Sequence, residues 1–337
     1  MRTLFVTTLV LAVGAPTLAG PLSPPGAPTD PTYKTLTEVE PRIAINATNT
    51  PGDATDTFII TQPGSYYLTD NLAAEFGKNG IRIAASSVTL DLNGFVLEGA
   101  GSAPIGIRTA AFLADVVIEN GSVRNFANQG ISISTDSGRL EDLRVLNCGS
   151  WGIEILGGAF GAEILRCYVS ATGTTASNTG GIFVTADSVV RECVIDRVTG
   201  AAIQAQSRCH IIDNHITRPN TNAGLPSTAR GVYLPNNFDT IVQGNKIIGT
   251  SSGYGIDVAG FGGNVVDSNT ISFAGTGIRV LSSDNLIVRN VVENAGTAFS
   301  TAVNNKCYVV AAPNAAGIFG SSGGSSFTGD PYANVVH

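Results

Sequence analysis

The sequence predicts an all-β solenoid: one chain wound into about nine or ten stacked coils of short parallel strands, capped at both ends. Three observations predict it. A Gly or Ala followed by apolar, any and usually apolar residues recurs at Gly80, Gly106, Gly130, Gly152, Gly181, Ala202, Gly231, Gly255 and Gly277. Successive copies lie 21 to 29 residues apart, the length of three short strands and three turns. Apolar residues come in short bursts between small polar ones, with no 3.6-residue stripe, so the segments read as strands rather than amphipathic helices. Glycine is abundant, at 40 residues, and charged residues make up only 13%. That composition suits a turn-rich, closely stacked β protein.

The elements follow in order. Residues 1–19 read as a secretory signal: Arg2 gives a positive start, residues 4–13 an apolar core and Thr17-Leu18-Ala19 a small-residue cleavage site. The apolar run is too short to span a bilayer, and no later segment is apolar enough to do so. Residues 20–33 form a Pro-rich spacer without a packing pattern. Residues 34–72 are expected to cap the first coil and supply the first strands, residues 73–303 to form the coils, and residues 304–337 to cover the last coil. Caps are needed because an open solenoid end is a sticky edge.

Two columns support the coil reading. Upstream of each Gly lies a strand whose inward residue is expected to be Val96, Val123, Val145, Val169, Ile195, Ile216, Ile247, Ile271 or Val292. Two residues earlier stand Gly94, Gly121, Leu143, Cys167, Cys193, Asn214, Asn245, Asn269 and Asn290. Four consecutive asparagines at one turn predict a ladder of amides bonded along the axis. Cys167 and Cys193 share that column and are expected to stack as free thiols. Five cysteines in all, without C-x-x-C spacing, resemble neither a disulfide scaffold nor a metal site.

The quoted repeats resemble the right-handed parallel β-helix proteins of the pectate-lyase-like superfold over roughly residues 43–336. More narrowly, "QPGSYYLTDNL", "VTLDLNGFVLEG" and "DPYANVV" look like a group of secreted bacterial β-helix repeat proteins without an established activity. The resemblance implies the right hand, in line with the general preference for right-handed parallel crossovers. It also implies that the G-I-x-V strand carries the ligand groove. The outward position of that strand reads Arg82, Arg108, Ser132, Glu154, Phe183, Gln204, Tyr233, Asp257 and Arg279. Aromatic, amide and carboxylate groups in one line suit a sugar chain. Long turns before Gly181 and Gly231 are expected to wall the groove.

The substrate-binding candidates are therefore Glu154, Phe183, Gln204 and Tyr233, with Trp151 at the entrance either stacking a sugar or covering a coil edge. Catalytic candidates are Asp257, Arg230 and Arg218, the arginines because lyases of this superfold use a basic residue to take a proton beside a uronate. Such enzymes often hold Ca²⁺ with acids, which is the one cofactor the resemblance raises. No cluster of acids matching Arg218 and Arg230 is legible on the neighbouring coils, and Glu154 and Asp257 are four coils, roughly 19 Å, apart. Motifs of the polygalacturonases and mannuronan epimerases are missing. His215 is expected to face solvent beside Lys246, and no metal site is predicted. The net charge of −7 argues against nucleic acid as a partner. The sequence reading is thus a secreted protein that binds, with cleavage as an open second step, an extracellular polysaccharide. The rival is a non-catalytic structural or adhesive surface protein.

Overall fold

Each coil bends three times, and each bend uses one residue in the left-handed region. Before the second strand stand Asp187, Arg208, Asp239, Asp284 and Asn304; at the second bend stand Arg166, Glu192, Asp213, Ser268 and Arg289; after the third strand stand Ala171, Arg197, Arg218, Phe273 and Asn294, all with φ between 47° and 64°. For residues with a Cβ this conformation costs about 1–2 kcal/mol each. Something must hold the bends, and side-chain ladders do so at two of them.

The computed structural model describes residues 40–157, 160–173, 179–219, 229–250, 252–311, 317–320 and 331–336. Among these every named strand-to-strand pairing is parallel, and no α-helix occurs. A 12-stranded sheet collects one strand per coil, the G-I-x-V strand, from Asp56–Ile60 to Gly317–Gly320. A 22-stranded sheet, bent at the second turn, collects the other two. The product is a right-handed parallel β-helix with a dry core. Ile81, Ile107, Ile131, Ile153, Ile182, Ile203, Val232, Ile256 and Ile278 stack along one wall, all 0% exposed.

The expected inward column is present from Val123 to Val292 in continuous register. Its first member needs correction. Val123 pairs with Leu97, not Val96. Phe95 N–H closes a turn on the Leu92 carbonyl at 2.8 Å, which lengthens that bend. Leu97 is therefore buried and Val96 half-exposed.

The asparagine ladder is present and longer than expected. Asn214, Asn245, Asn269 and Asn290 each donate Nδ2–H to the Oδ1 of the next member at 2.9 Å. Each also directs its backbone N–H to the same oxygen. The last acceptor is Asn334, from the C-terminal strand Asn334–Val336. That strand lies between Val291–Glu293 and Val309–Ala311, so the closing segment completes the ladder. A second ladder, Asn237–Asn264–Asn285–Asn305, holds the bend before the second strand. Below the first ladder, Cys167 and Cys193 occupy the same column as buried free thiols. The Cys193 N–H is capped by Asn214 Oδ1 at 2.9 Å.

Candidate functional site

Strand alternation sends the third residue after each Gly inward and the second outward. The observed register fixes the outward line as Arg82, Arg108, Ser132, Glu154, Phe183, Gln204, Tyr233, Asp257 and Arg279, in that order on successive coils. The residue before each Gly forms a second line beside it, in which Gly180, Ala201, Arg230, Tyr254 and Thr276 are neighbours. The expected signal and spacer, residues 1–33, lie outside the described residues, as do the interiors of the two long turns, residues 174–178 and 220–228.

The ends of the outward line are ion-pair clusters around buried acids. Asp56, fully buried, accepts Arg108 Nε at 2.6 Å, Arg108 Nη2 at 2.6 Å and Asn79 Nδ2 at 3.0 Å. Arg82 Nη1 stands 3.3 Å from it. Burial pushes the Asp56 carboxyl up, but the Arg108, Thr55 and Asn79 donors together outweigh it and hold it below its ordinary value. At the other end Asp257, also fully buried, accepts Arg279 Nε and Nη2 at 2.8 and 2.7 Å and Arg230 Nε at 2.8 Å. Arg279 lies 3.7 Å over the Tyr254 ring, and Arg230 lies 4.1 Å over the Tyr233 ring. The Asp257 partner raises the pKa of Arg279 above its already high ordinary value.

The middle of the line differs. Glu154 accepts Gln129 Nε2 at 2.8 Å and Ser132 Oγ at 2.9 Å, both on Oε2. Its neighbour Phe183 packs on Trp151, with ring centroids 5.6 Å apart at 40°. Trp151 is only 3% exposed, so of the two roles open to it, it covers the coil edge. A Cβ at Gly180 would stand 2.5 Å from Trp151 Cζ3 and closer still to the Ala201 carbonyl, so glycine is required there. Gln204 follows, half-buried, and its amide has no hydrogen-bond partner among the described residues. Gly180 and Ala201 put almost no side chain beside Phe183 and Gln204. Between Phe183 and Tyr233, two coils or roughly 10 Å apart, Gln204 is the one outward side chain of the line, and Trp151 lies against Gly180 beside it.

Arg218 does not join Arg230. Its guanidinium pairs with Asp196, Nε to Oδ1 at 3.1 Å, together with Thr217 and Arg197. Of the three catalytic candidates, the structure brings together only Asp257 and Arg230. Both oxygens of that carboxylate are occupied by guanidinium donors, which suits an anchor better than a proton acceptor. His215 is exposed beside Lys246 on the next coil.

Acids do line up elsewhere, on coils far from Arg218 and Arg230. Asp91, Glu119 and Glu141 are in register on three successive coils of the bent sheet. Their signal was an acid shortly before the second bend in three consecutive repeats: "LDLNG", "IENGS" and "LEDLR". Asp91 accepts Arg42 Nη1 at 2.9 Å, and Glu141 accepts Arg139 and Arg166 at 2.8 Å. Glu119 lacks such a partner, and burial together with Asp91 and Glu141 raises its pKa. The guanidiniums occupy one oxygen of Asp91 and one of Glu141. Among the described residues no group of three or more His, Cys, Asp or Glu side chains is arranged to hold a metal ion.

Comparison with known proteins decides the family. The family described as "Right handed beta helix region" matches residues 93–271 and 174–330. The chain belongs to that family. Among solved structures, this β-helix is similar to the pectate lyase Pel9A, with a TM-score of 0.55 and 13% identity, over 79% of this chain and 78% of that one. It is also similar to the Dettilon tailspike protein, with a TM-score of 0.53 and 14% identity, over 83% of this chain and 60% of the tailspike. At such identities the likeness is one of fold. No curated protein sequence matches the chain. Among the described residues of this β-helix, no helix is long and apolar enough to cross a membrane.

Proposed function

We propose that this β-helix is a secreted protein that binds an extracellular polysaccharide along the outward line from Glu154 to Asp257. The observation that carries the proposal is Gln204. An amide with unused donors and acceptor sits between the rings of Phe183 and Tyr233, beside the side-chain-poor positions Gly180 and Ala201. A half-buried amide not bonded within the protein bonds to water, which a ligand hydroxyl can replace. Sugars offer apolar ring faces to Phe183 and to the edge of Tyr233, and hydroxyls to Gln204 and Glu154. The shared architecture with a pectate lyase supports a polysaccharide as the class of ligand.

The geometry disfavours hydrolysis by Glu154 and Asp257. A hydrolase needs two carboxyls within about 10 Å. Glu154 and Asp257 are roughly 19 Å apart at strand spacing, and Asp257 is saturated by Arg230 and Arg279. The test is a screen of the mature chain against neutral and uronate-rich polysaccharides, reading binding and, separately, new reducing or unsaturated ends. Binding without product supports the reading. No binding to any polymer supports the structural or adhesive alternative.

A further inference from the structure

A second concave site lies on the bent sheet, near the C-terminal end of the coil. Its floor is apolar: Val265 pairs with Leu286 on the next coil, and Val288 follows on the Leu286 strand. Tyr308 and Tyr332 close a pocket of about 440 Å³ over that floor, and they are 46% and 58% exposed. This volume is within the usual range for small-molecule sites, about 300–1,000 Å³. Exposed tyrosine rings over an aliphatic floor offer apolar area to the face of a pyranose, with Arg289 5.9 Å from the Tyr332 ring centroid.

The charges in the pocket run against those of the chain, whose net charge is −7. Arg289 pairs with Asp267, Nε to Oδ1 at 2.7 Å, so one cation neutralises the one carboxylate of the lining. That leaves Lys306, which is exposed and has no partner among the described residues. Lys306 also lines an adjoining hollow of about 290 Å³, shared with Val265 and Leu286 and flanked by Asp284 and Asn304. The two hollows share Val265, Leu286 and Lys306: tyrosine rings over an aliphatic floor on one side, Asn304 and the Asp284 carboxylate on the other, and the Lys306 ammonium between them.

We infer that these hollows form a second carbohydrate site, which takes a disaccharide-length unit carrying a ring carboxylate. One ring lies against Tyr308 and Tyr332, its carboxylate on Lys306, and the neighbouring ring's hydroxyls reach Asn304 and Asp284. The site is on a different sheet from the Glu154–Asp257 line and does not depend on it.

The probe is digalacturonate, titrated calorimetrically against the full chain. Lys306→Gln should weaken its binding about fivefold and remove the preference over neutral galactobiose. Tyr308→Ala should weaken both sugars about fivefold through lost stacking area. Added salt should weaken digalacturonate more than galactobiose. Lys246→Gln, an equal loss of charge on another face, should change nothing. Lys306 is exposed, so its variant should melt like the wild type. Equal digalacturonate affinity in wild type, Lys306→Gln and Tyr308→Ala would overturn the inference, and so would a wild-type chain that fails to bind digalacturonate.

Discussion

Arg230 Nε donates to Asp257 Oδ2 at 2.8 Å while the same guanidinium lies 4.1 Å above the Tyr233 ring. One side chain therefore ties a buried acid to an exposed ring. Asp257 is also held by Arg279, which covers Tyr254. This carboxylate organises one end of the outward line. Removing it strands two guanidiniums against rings and backbone. Asp257→Asn should therefore destabilise the fold by about 3 kcal/mol, as when one partner of a buried pair is lost. Thermal and denaturant melts would measure it. A variant as stable as the wild type would show that the pair contributes little.

The ladder makes a sharper stability prediction. Asn245 accepts from Asn214, donates to Asn269, and gives its second N–H to the carbonyls of Ile211 and Gln243. Asn245→Leu leaves these buried groups partly unpaired, next to the left-handed residues of the bend. The expected cost is about 1–3 kcal/mol. Asn128→Leu, at an exposed position, should cost far less. Matching melts for the two variants would contradict the ladder's role.

Glu119 sets a pH dependence of opposite sign to the paired acids. Its folded pKa is raised, by burial first and then by Asp91 and Glu141. A raised carboxyl stabilises the fold fully below its unfolded pKa, and that contribution is lost as pH rises through the folded pKa. Glu119→Gln should therefore raise the melting temperature near pH 7 and leave it unchanged near pH 3. Asp196 and Asp267 behave the other way. Burial would raise them, but Thr217 with Arg218, and Arg289 with Ser268, outweigh it and hold them low. Their contribution is present at neutral pH and lost as pH falls through the lowered values. A Glu119→Gln variant less stable than wild type near pH 7 would refute the repulsion.

The thiols should be nearly inert in the folded chain. All five are buried, and burial pushes Cys148 and Cys209 up to about 11 and Cys307 to about 12. Cys167 is raised by its neighbour Cys193 as well as by burial. The thiolate is the reactive form, so labelling of the native chain should be slow and limited by unfolding. Denaturant should release five rapid thiols. A cross-link between Cys167 and Cys193, found by non-reducing peptide mapping, would show the stacked-thiol arrangement wrong.

What the sequence revealed follows from how regularly each feature repeats. Asn214, Asn245, Asn269 and Asn290 precede a β-branched residue by the same offset, so the column and its ladder were legible. The second ladder was not, because Asn264 and Asn285 sit among Gly, Ser and Asp and Asn305 follows another Asn, where asparagine reads as an ordinary turn residue. Leu97 was missed because a lengthened bend at Leu92–Phe95 leaves no trace in apolar alternation. The outward line was legible, but not its burial. Alternation places Asp257 outside the coil, and only the structure shows Arg230 and Arg279 covering it. Trp151 was similarly ambiguous: its burial depends on its contacts with Phe183 and with Gly180, at a position where no Cβ fits.

The central claim is that the outward line around Gln204 binds a glycan, and titration of a polysaccharide that scores in the screen tests it most directly. Phe183→Ala and Gln204→Ala should each weaken binding by about 1–2 kcal/mol, through lost stacking area and a lost hydrogen-bonding group, and leave the melt nearly intact. Tyr233→Ala should weaken binding by a similar amount. Lys246→Gln and His215→Ala, on another face, should bind like the wild type. Equal affinities for wild type, Phe183→Ala, Gln204→Ala and Tyr233→Ala would contradict the account and leave the β-helix as a structural scaffold.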